Sequence, residues 1–238
     1  MKASQFIKQA LKWENKNEAD GSFKEIIDLY NAQKSLPRGY KVKYTDEWCA
    51  TFVSAVAIKS GCESILPIEC GCQQMINKFK EIKCWQENEN IVPELGWIIF
   101  YDWQDDGKGD NKGWSDHVGI VIEVNKEDKK IVILEGNYKN KVTRRIISIN
   151  GKYIRGYGVP KYDKEDVRDT TAVAIKYFKK YKGTSGSIVV ALTSINENSS
   201  FDYRRKIAIK NKITNYKGTY EQNIKMLNLL KNGKLIKP

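Results

Sequence analysis

Histidine is the scarcest chemical resource in this chain: His117 is the only one among 238 residues. Zinc peptidases and zinc amidases draw two or more histidines into their ligand sets, so hydrolysis through a His-bound metal is not the expected chemistry. Long apolar runs are also missing. No stretch approaches the roughly 18 residues of a membrane span, and the opening Met-Lys-Ala-Ser-Gln-Phe-Ile-Lys-Gln-Ala-Leu-Lys reads as an amphipathic helix without the apolar stretch of a secretory signal. The expectation is a protein made in a cytoplasm with no signal peptide; if it works outside, another agent releases it. Cysteine pairs at zinc spacing are absent as well. Cys49, Cys62, Cys70, Cys72 and Cys84 contain no Cys-x-x-Cys and have no histidine beside them, so no structural zinc is expected, and without a secretion signal no disulfide either. No repeat of 20 residues or more is visible, which argues against a solenoid.

What is present suits a folded protein of two modules. Hydrophobic residues make up 41% of the chain, with 6 Trp and 13 Tyr, enough to exclude bulk disorder. The net charge of +12 is unevenly spread: residues 171–238 hold 14 Lys or Arg against 3 Asp or Glu, so nearly all the excess lies in the tail. A field of that sign favours a polyanionic partner, and nucleic acid, anionic lipid and wall teichoic acid all qualify.

Periodicity divides the chain further. Residues 3–34 read as helical with a turn at Asp20-Gly21-Ser22, and Pro37 to Tyr40 break the pattern. Residues 48–60 form the clearest core helix, with Cys49, Phe52, Val53, Val56 and Ala57 on one face, Thr45 or Asp46 to cap its start and Gly61 to end it. From Gly96 the period becomes alternating, giving strands at 97–102, 117–124, 130–136, 142–149 and 153–159. Helices followed by short strands make an α+β domain with an antiparallel sheet over residues 1–162. Residues 163–172 read as a linker and 173–238 as a small all-α domain, with helices around Ile188 to Leu192, Tyr203 to Ile209 and Gln222 to Leu230, and N-caps at Ser199-Ser200 and Thr219.

The chemistry centres on Cys49. A thiol of ordinary pKa is only about 3% ionised at pH 7, so a working nucleophile needs help. The first turn of a helix supplies the positive end of the dipole and unpaired N–H groups, and a protonated imidazole nearby would lower the thiol further. The same N–H groups can hold an oxyanion, worth about 3 kcal/mol per donor. None of the other four cysteines opens so clear a helix. His117 begins a strand in which Val118, Ile120, Ile122 and Val124 point to one layer and His117, Gly119 and Val121 to the other. Alternation places Glu135 and Asn137 together at the end of the next strand, where either can accept from the second ring nitrogen and fix the tautomer.

The segments Trp48-Cys49-Ala50-Thr51-Phe52-Val53, Asp116-His117-Val118-Gly119-Ile120-Val121 and Glu135-Gly136-Asn137 resemble the motifs of the CHAP family of cysteine, histidine-dependent amidohydrolases and peptidases. The resemblance covers residues 1 to about 162, and Trp97 stands where the family usually has Asp. It implies a papain-like fold, cleavage of peptidoglycan without a cofactor, Cys49 as nucleophile, His117 as base, and Glu135 or Asn137 as orienter. The muramoyl–L-alanine amide is the first-choice bond, ahead of a stem or cross-bridge bond. The tail, through Ser199-Ser200-Phe201, Arg204 to Ala208, Ile213 to Thr219 and Asn223 to Pro238, resembles a small module of lytic enzymes from clostridia and their phages that is taken to bind the wall. Together these imply an endolysin whose partners are peptidoglycan and anionic wall polymers, with no nucleic acid and no membrane insertion.

Asp102, Asp105, Asp106 and Asp110 form an acidic loop that echoes the start of an EF-hand, but Gly113 occupies the twelfth position where Glu is needed, so a solvated turn is expected before calcium. Three other functions stay open: a papain-like enzyme acting on proteins, a basic nucleic-acid-binding protein, and a carboxylate-based glycosidase.

Overall fold

The computed structural model describes residues 1–88, 90–105, 113–126, 128–164 and 177–238. The chain divides into two compact units, Met1–Val173 and Ala174–Pro238. The expected linker falls mostly on residues outside the described ones. Its first residue, Asp163, pairs with the N-terminal amine, and the Asp163 N–H donates to the Met1 carbonyl.

In the first unit, helices α1 (Ala3–Leu11), α2 (Lys24–Asn31), α3 (Cys49–Ser60) and α4 (Cys72–Glu81) precede the strands β1 (Trp85–Gln86), β2 (Ile98–Tyr101), β3 (His117–Asn125), β4 (Lys130–Glu135), β5 (Thr143–Ser148) and β6 (Ile154–Gly158). The strands form one antiparallel sheet in the order β1-β6-β2-β3-β4-β5. The mixed helical and antiparallel architecture agrees with the alternation in the sequence. No described helix is long and apolar enough to cross a membrane.

Several local expectations need correction. The helical reading of 3–34 is interrupted over a longer stretch than Asp20-Gly21-Ser22. Asn15 takes a left-handed φ of 77°, and Asn17, Asp20 and Ser22 exchange side-chain-to-backbone bonds of 2.8–3.0 Å. Such short polar side chains compete with the helical backbone for its own donors. Neither Thr45 nor Asp46 caps α3. Its N-cap is Trp48, while the Asp46 carboxylate accepts from Lys43 N–H and Tyr40 O–H. Gly61 does end the helix, at φ 64°. Helix α4 and strand β1 were not foreseen.

The sheet is apolar on both faces. Ile98, Phe100, Val118, Ile120, Ile122 and Leu134 pack under the helices, where α3 is buried almost all round. Ile99, Tyr101, Val121, Ile131, Ile133 and Tyr157 form a second cluster on the other face. Val124 packs with this second cluster instead of with Val118 and Ile120, because a bulge between Val121 and Glu123 reverses the alternation.

The position of α3 on the sheet depends on a missing side chain. A Cβ at Gly136, just beyond β4, would lie 2.4 Å from the Phe52 Cβ of α3. Glycine there lets the helix approach the end of β4 closely enough to bring Cys49 beside β3.

The second unit holds α5 (Ile188–Ser194), α6 (Phe201–Lys210) and α7 (Tyr220–Lys231) around Leu192, Ile207, Met226, Leu227 and Leu230. Ser187, Ser200 and Thr219 cap these helices, the last with Gln222 in a reciprocal capping box.

Substituting Gly136→Ala should cost about 1–3 kcal/mol of stability by overpacking against Phe52. A denaturant midpoint unchanged from the parent would show that α3 is not held by this approach.

Candidate active site

Cys49 and His117 meet where the start of α3 faces the start of β3. Three contacts fix α3 there. The fully buried indole of Trp48 donates to Glu18 at 2.9 Å, Phe52 seats on Gly136, and Ser54 Oγ exchanges two hydrogen bonds with the Glu69 backbone at 2.6 and 2.8 Å. The first intrahelical bond runs from Phe52 N–H to the Trp48 carbonyl at 2.8 Å, and Trp48 offers no side-chain cap to the N–H groups before it.

The Ser54–Glu69 link also sets α4, whose first residue is Cys72. Its Sγ lies 3.5 Å from the Cys49 Sγ. Sequence reasoning missed this residue: Cys49 opens the clearer apolar helix, but Cys72 opens one as well, behind Gly71 as N-cap. The apolar spacing of Cys72, Met75, Ile76 and Phe79 was the available signal.

His117 Nε2 lies 3.1 Å from Glu135 Oε2. Glu135 has no solvent exposure, and it also accepts from Tyr101 O–H at 2.8 Å and from Arg145 Nε at 2.8 and 2.9 Å. Trp103, 39% exposed, stacks on both His117 and Tyr101, and the Arg145 guanidinium lies 3.8 Å from the Tyr138 ring centroid. Gly119 gives Glu135 room: a Cβ there would meet Ile133 Cγ2 at 2.4 Å and Glu135 Cγ at 2.7 Å.

Of the predicted site residues, the structure gathers Cys49, His117 and Glu135. Asn137 is elsewhere. Strand β4 ends at Glu135, Asn137 turns to a left-handed φ of 55°, and its amide donates to Glu47 at 2.5 Å. In the acidic loop, Asp106 and Asp110 lie outside the described residues, while Asp102 is buried and accepts from the Gln104 N–H at 2.9 Å. Among the described residues no three His, Cys, Asp or Glu side chains are grouped to hold a metal ion.

The electrostatics separate the two thiols. Cys49 is held well below its ordinary value, first by the hydrogen bond from Cys72 and then, against the opposing effect of burial, by the hydrogen bond and charge of His117. Cys72 is pushed well above, as donor to Cys49 and by burial. Burial pulls His117 down, but hydrogen bonds and charge from Cys49 and Glu135 more than offset it and raise it to about 9. These shifts favour a thiolate beside an imidazolium whose Nε2 rests on a carboxylate. Chemically, such a set can add to a carbonyl and protonate a leaving group.

Residues 39–137 match the model of the CHAP domain. The match begins just before α3 and ends at Asn137, so it contains the whole Cys49, Cys72, His117 and Glu135 cluster and leaves β5, β6 and the second unit outside. A CHAP domain supports a hydrolytic enzyme, a cysteine- and histidine-dependent amidohydrolase or peptidase, typically of peptidoglycan. Comparisons with curated proteins and with solved structures gave no match.

A hollow of about 770 Å³ lies between residues 15–19 and 139–141 and contains none of the cluster. A smaller one of about 210 Å³ is lined by Arg38, Tyr40, Val42, Asp46, Cys70 and Glu47, of which Glu47 is two residues from Cys49 along the chain.

A proton bound at His117 favours folding, and that contribution is complete below the ordinary 6.5 and lost as pH rises through about 9. The lowered Cys49 acts in the opposite sense, contributing above the ordinary 9.0 and losing its contribution as pH falls through the lowered value. Between 6.5 and 9.0 the two dependences have opposite signs, so stability varies less with pH there than either group alone would make it. As the only histidine, His117 gives a single imidazole resonance set. It should titrate near 9 by NMR and move down in Cys49→Ala and in Glu135→Gln, since each loses a partner while burial remains. A midpoint at 6.5 or below in the parent would contradict the ion pair.

Proposed function

We propose that the protein is a peptidoglycan hydrolase of the endolysin type that cuts an amide bond by Cys-His catalysis. The observation that carries this reading is the lowered Cys49 thiol at a helix start, placed between the Cys72 thiol and an imidazole whose other nitrogen is held by Glu135. Cys49 adds to the amide carbonyl, and the oxyanion is held by N–H groups of the first turn of α3. Imidazolium at His117 then gives its proton to the departing amine, forming a thioester. In the second half His117, now neutral, takes a proton from water as the water attacks the thioester, which frees Cys49 and restores the ion pair. Glu135 orients the ring throughout and stabilises its charged form, and Arg145 and Tyr101 hold Glu135 in turn. No metal or organic cofactor enters these steps. The papain-like character of the domain and its Cys, His, acid order follow from the same reading.

Residues 174–238 are assigned to wall attachment. The support is their concentrated positive charge and exposed aromatic side chains such as Phe201 and Tyr220. Attachment raises the local enzyme concentration at an anionic surface without touching the chemistry.

Purified Gram-positive walls digested with the parent and with Cys49→Ser should differ by at least about 10³-fold in release of new amino termini. Mass spectrometry identifies the bond: termini on alanine with free muramic acid mean an amidase, other termini an endopeptidase. Equal release by the two proteins would remove Cys49 from the mechanism, and reducing sugars without new termini would mean a glycosidase. Cleavage should also fall as pH rises past about 9, where the imidazolium loses the proton that the leaving amine needs.

A further inference from the structure

Cys72 has no assigned role, yet it is the nearest hydrogen-bonding partner of the Cys49 sulfur across two helices. The geometry points to a modification site: we propose that Cys49 and Cys72 form a reversible disulfide under hydroperoxide oxidation, masking the Cys49 nucleophile until a thiol reductant restores it. The loss of activity rests on the function proposed above; the bond itself does not.

The two sulfurs are 3.5 Å apart. A disulfide is about 2.05 Å long, so closure needs about 1.5 Å of approach, within reach of side-chain rotation and a small helix adjustment. Both residues are the first of their helices, α3 and α4, and each keeps slight solvent exposure, 5% and 8%. Ser54 and the Glu69 backbone hold the two elements in register. The remaining thiols are engaged apart from one another: Cys62 with the Ala57 carbonyl, Cys84 with the Ile82 carbonyl, and Cys70 with Arg38 and Glu69. The roles within the pair are unequal in the way a peroxide reaction requires. Cys49 carries the lowered thiol and attacks, and Cys72 keeps its proton.

In the first step the Cys49 thiolate displaces hydroxide from hydrogen peroxide. The O–O bond breaks, an S–O bond forms, and the sulfur is oxidised by two electrons to a sulfenic acid. In the second step the Cys72 sulfur attacks the Cys49 sulfur, the S–S bond forms, and the departing hydroxide leaves as water with the Cys72 proton. Thiolate, thiol and peroxide thus give disulfide, water and hydroxide. A dithiol reverses the bond by exchange.

The experiment treats the reduced full-length protein with hydrogen peroxide, alkylates remaining thiols, and maps the digest by mass spectrometry. The expected result is a linked peptide joining residues 49 and 72, a mass loss of two hydrogens in the intact protein, and return of both thiols with dithiothreitol. In Cys72→Ser, which keeps a hydroxyl donor, Cys49 should instead gain two or three oxygens, which dithiothreitol does not remove. The proposal is overturned if the parent itself accumulates those oxygens on Cys49 with no linked peptide, or if Cys49 links to another cysteine. Neither outcome depends on the variant folding or on lytic activity. A reversible link in a protein that releases no wall fragments would sink the hydrolase reading alone. Wall cleavage that survives peroxide, with no link formed, would sink the redox pair alone.

Discussion

A carboxylate with no solvent exposure is the constraint around which the site is organised. Burying Glu135 without partners would cost several kcal/mol, and the structure surrounds it with Arg145, Tyr101 and His117. Each of those is held by something else. Arg145 lies over the Tyr138 ring and near Tyr101 and Trp103, and Tyr101 and Trp103 stack at 5.0 Å beside the imidazole. The imidazole therefore has one orientation open to it, with Nε2 committed to Glu135. The negative charge beneath the ring also helps keep a proton on a group that burial alone would neutralise.

The sulfur side depends on helix placement. Trp48, Phe52 and Ser54 are successive anchors along α3, joining it to the N-terminal segment, the end of β4 and the approach to α4. With these fixed, the starts of α3 and α4 converge and put two thiols in contact. Their chemistry then diverges: one is stabilised as thiolate by the other's proton and by the imidazolium. Cys62 is pushed up to about 11 and Cys70 is also raised, both mainly by burial, as expected for thiols that serve packing.

Much of this was legible in the sequence where a signal was local. The apolar run from Cys49 to Ala57 gave a core helix, alternation after Gly96 gave five strands within a residue or two, and a lone histidine at a strand start drew attention to His117. Legibility failed where tertiary context decided. Alternation put Asn137 beside Glu135, but it applies only while a strand continues, and β4 stops at Glu135. Val124 changed faces at a bulge that leaves no mark in composition. Asp46 is a good capping residue by type, yet Lys43 and Tyr40 take its carboxylate first. Cys72, Arg145 and Tyr101 are ordinary residues at ordinary spacings, and only the packing of distant elements brings them to Cys49 and Glu135.

The central claim is that Cys49 rests as a thiolate because His117 is protonated beside it. The pH dependence of Cys49 alkylation by iodoacetamide, followed by peptide mass spectrometry, measures that state directly. The account predicts a rate that is already at its plateau near neutral pH, while Cys62 reacts slowly, and a loss of that plateau in His117→Ala. A Cys49 rate that climbs toward pH 9 as an ordinary thiol's does, and is indifferent to His117, would contradict it.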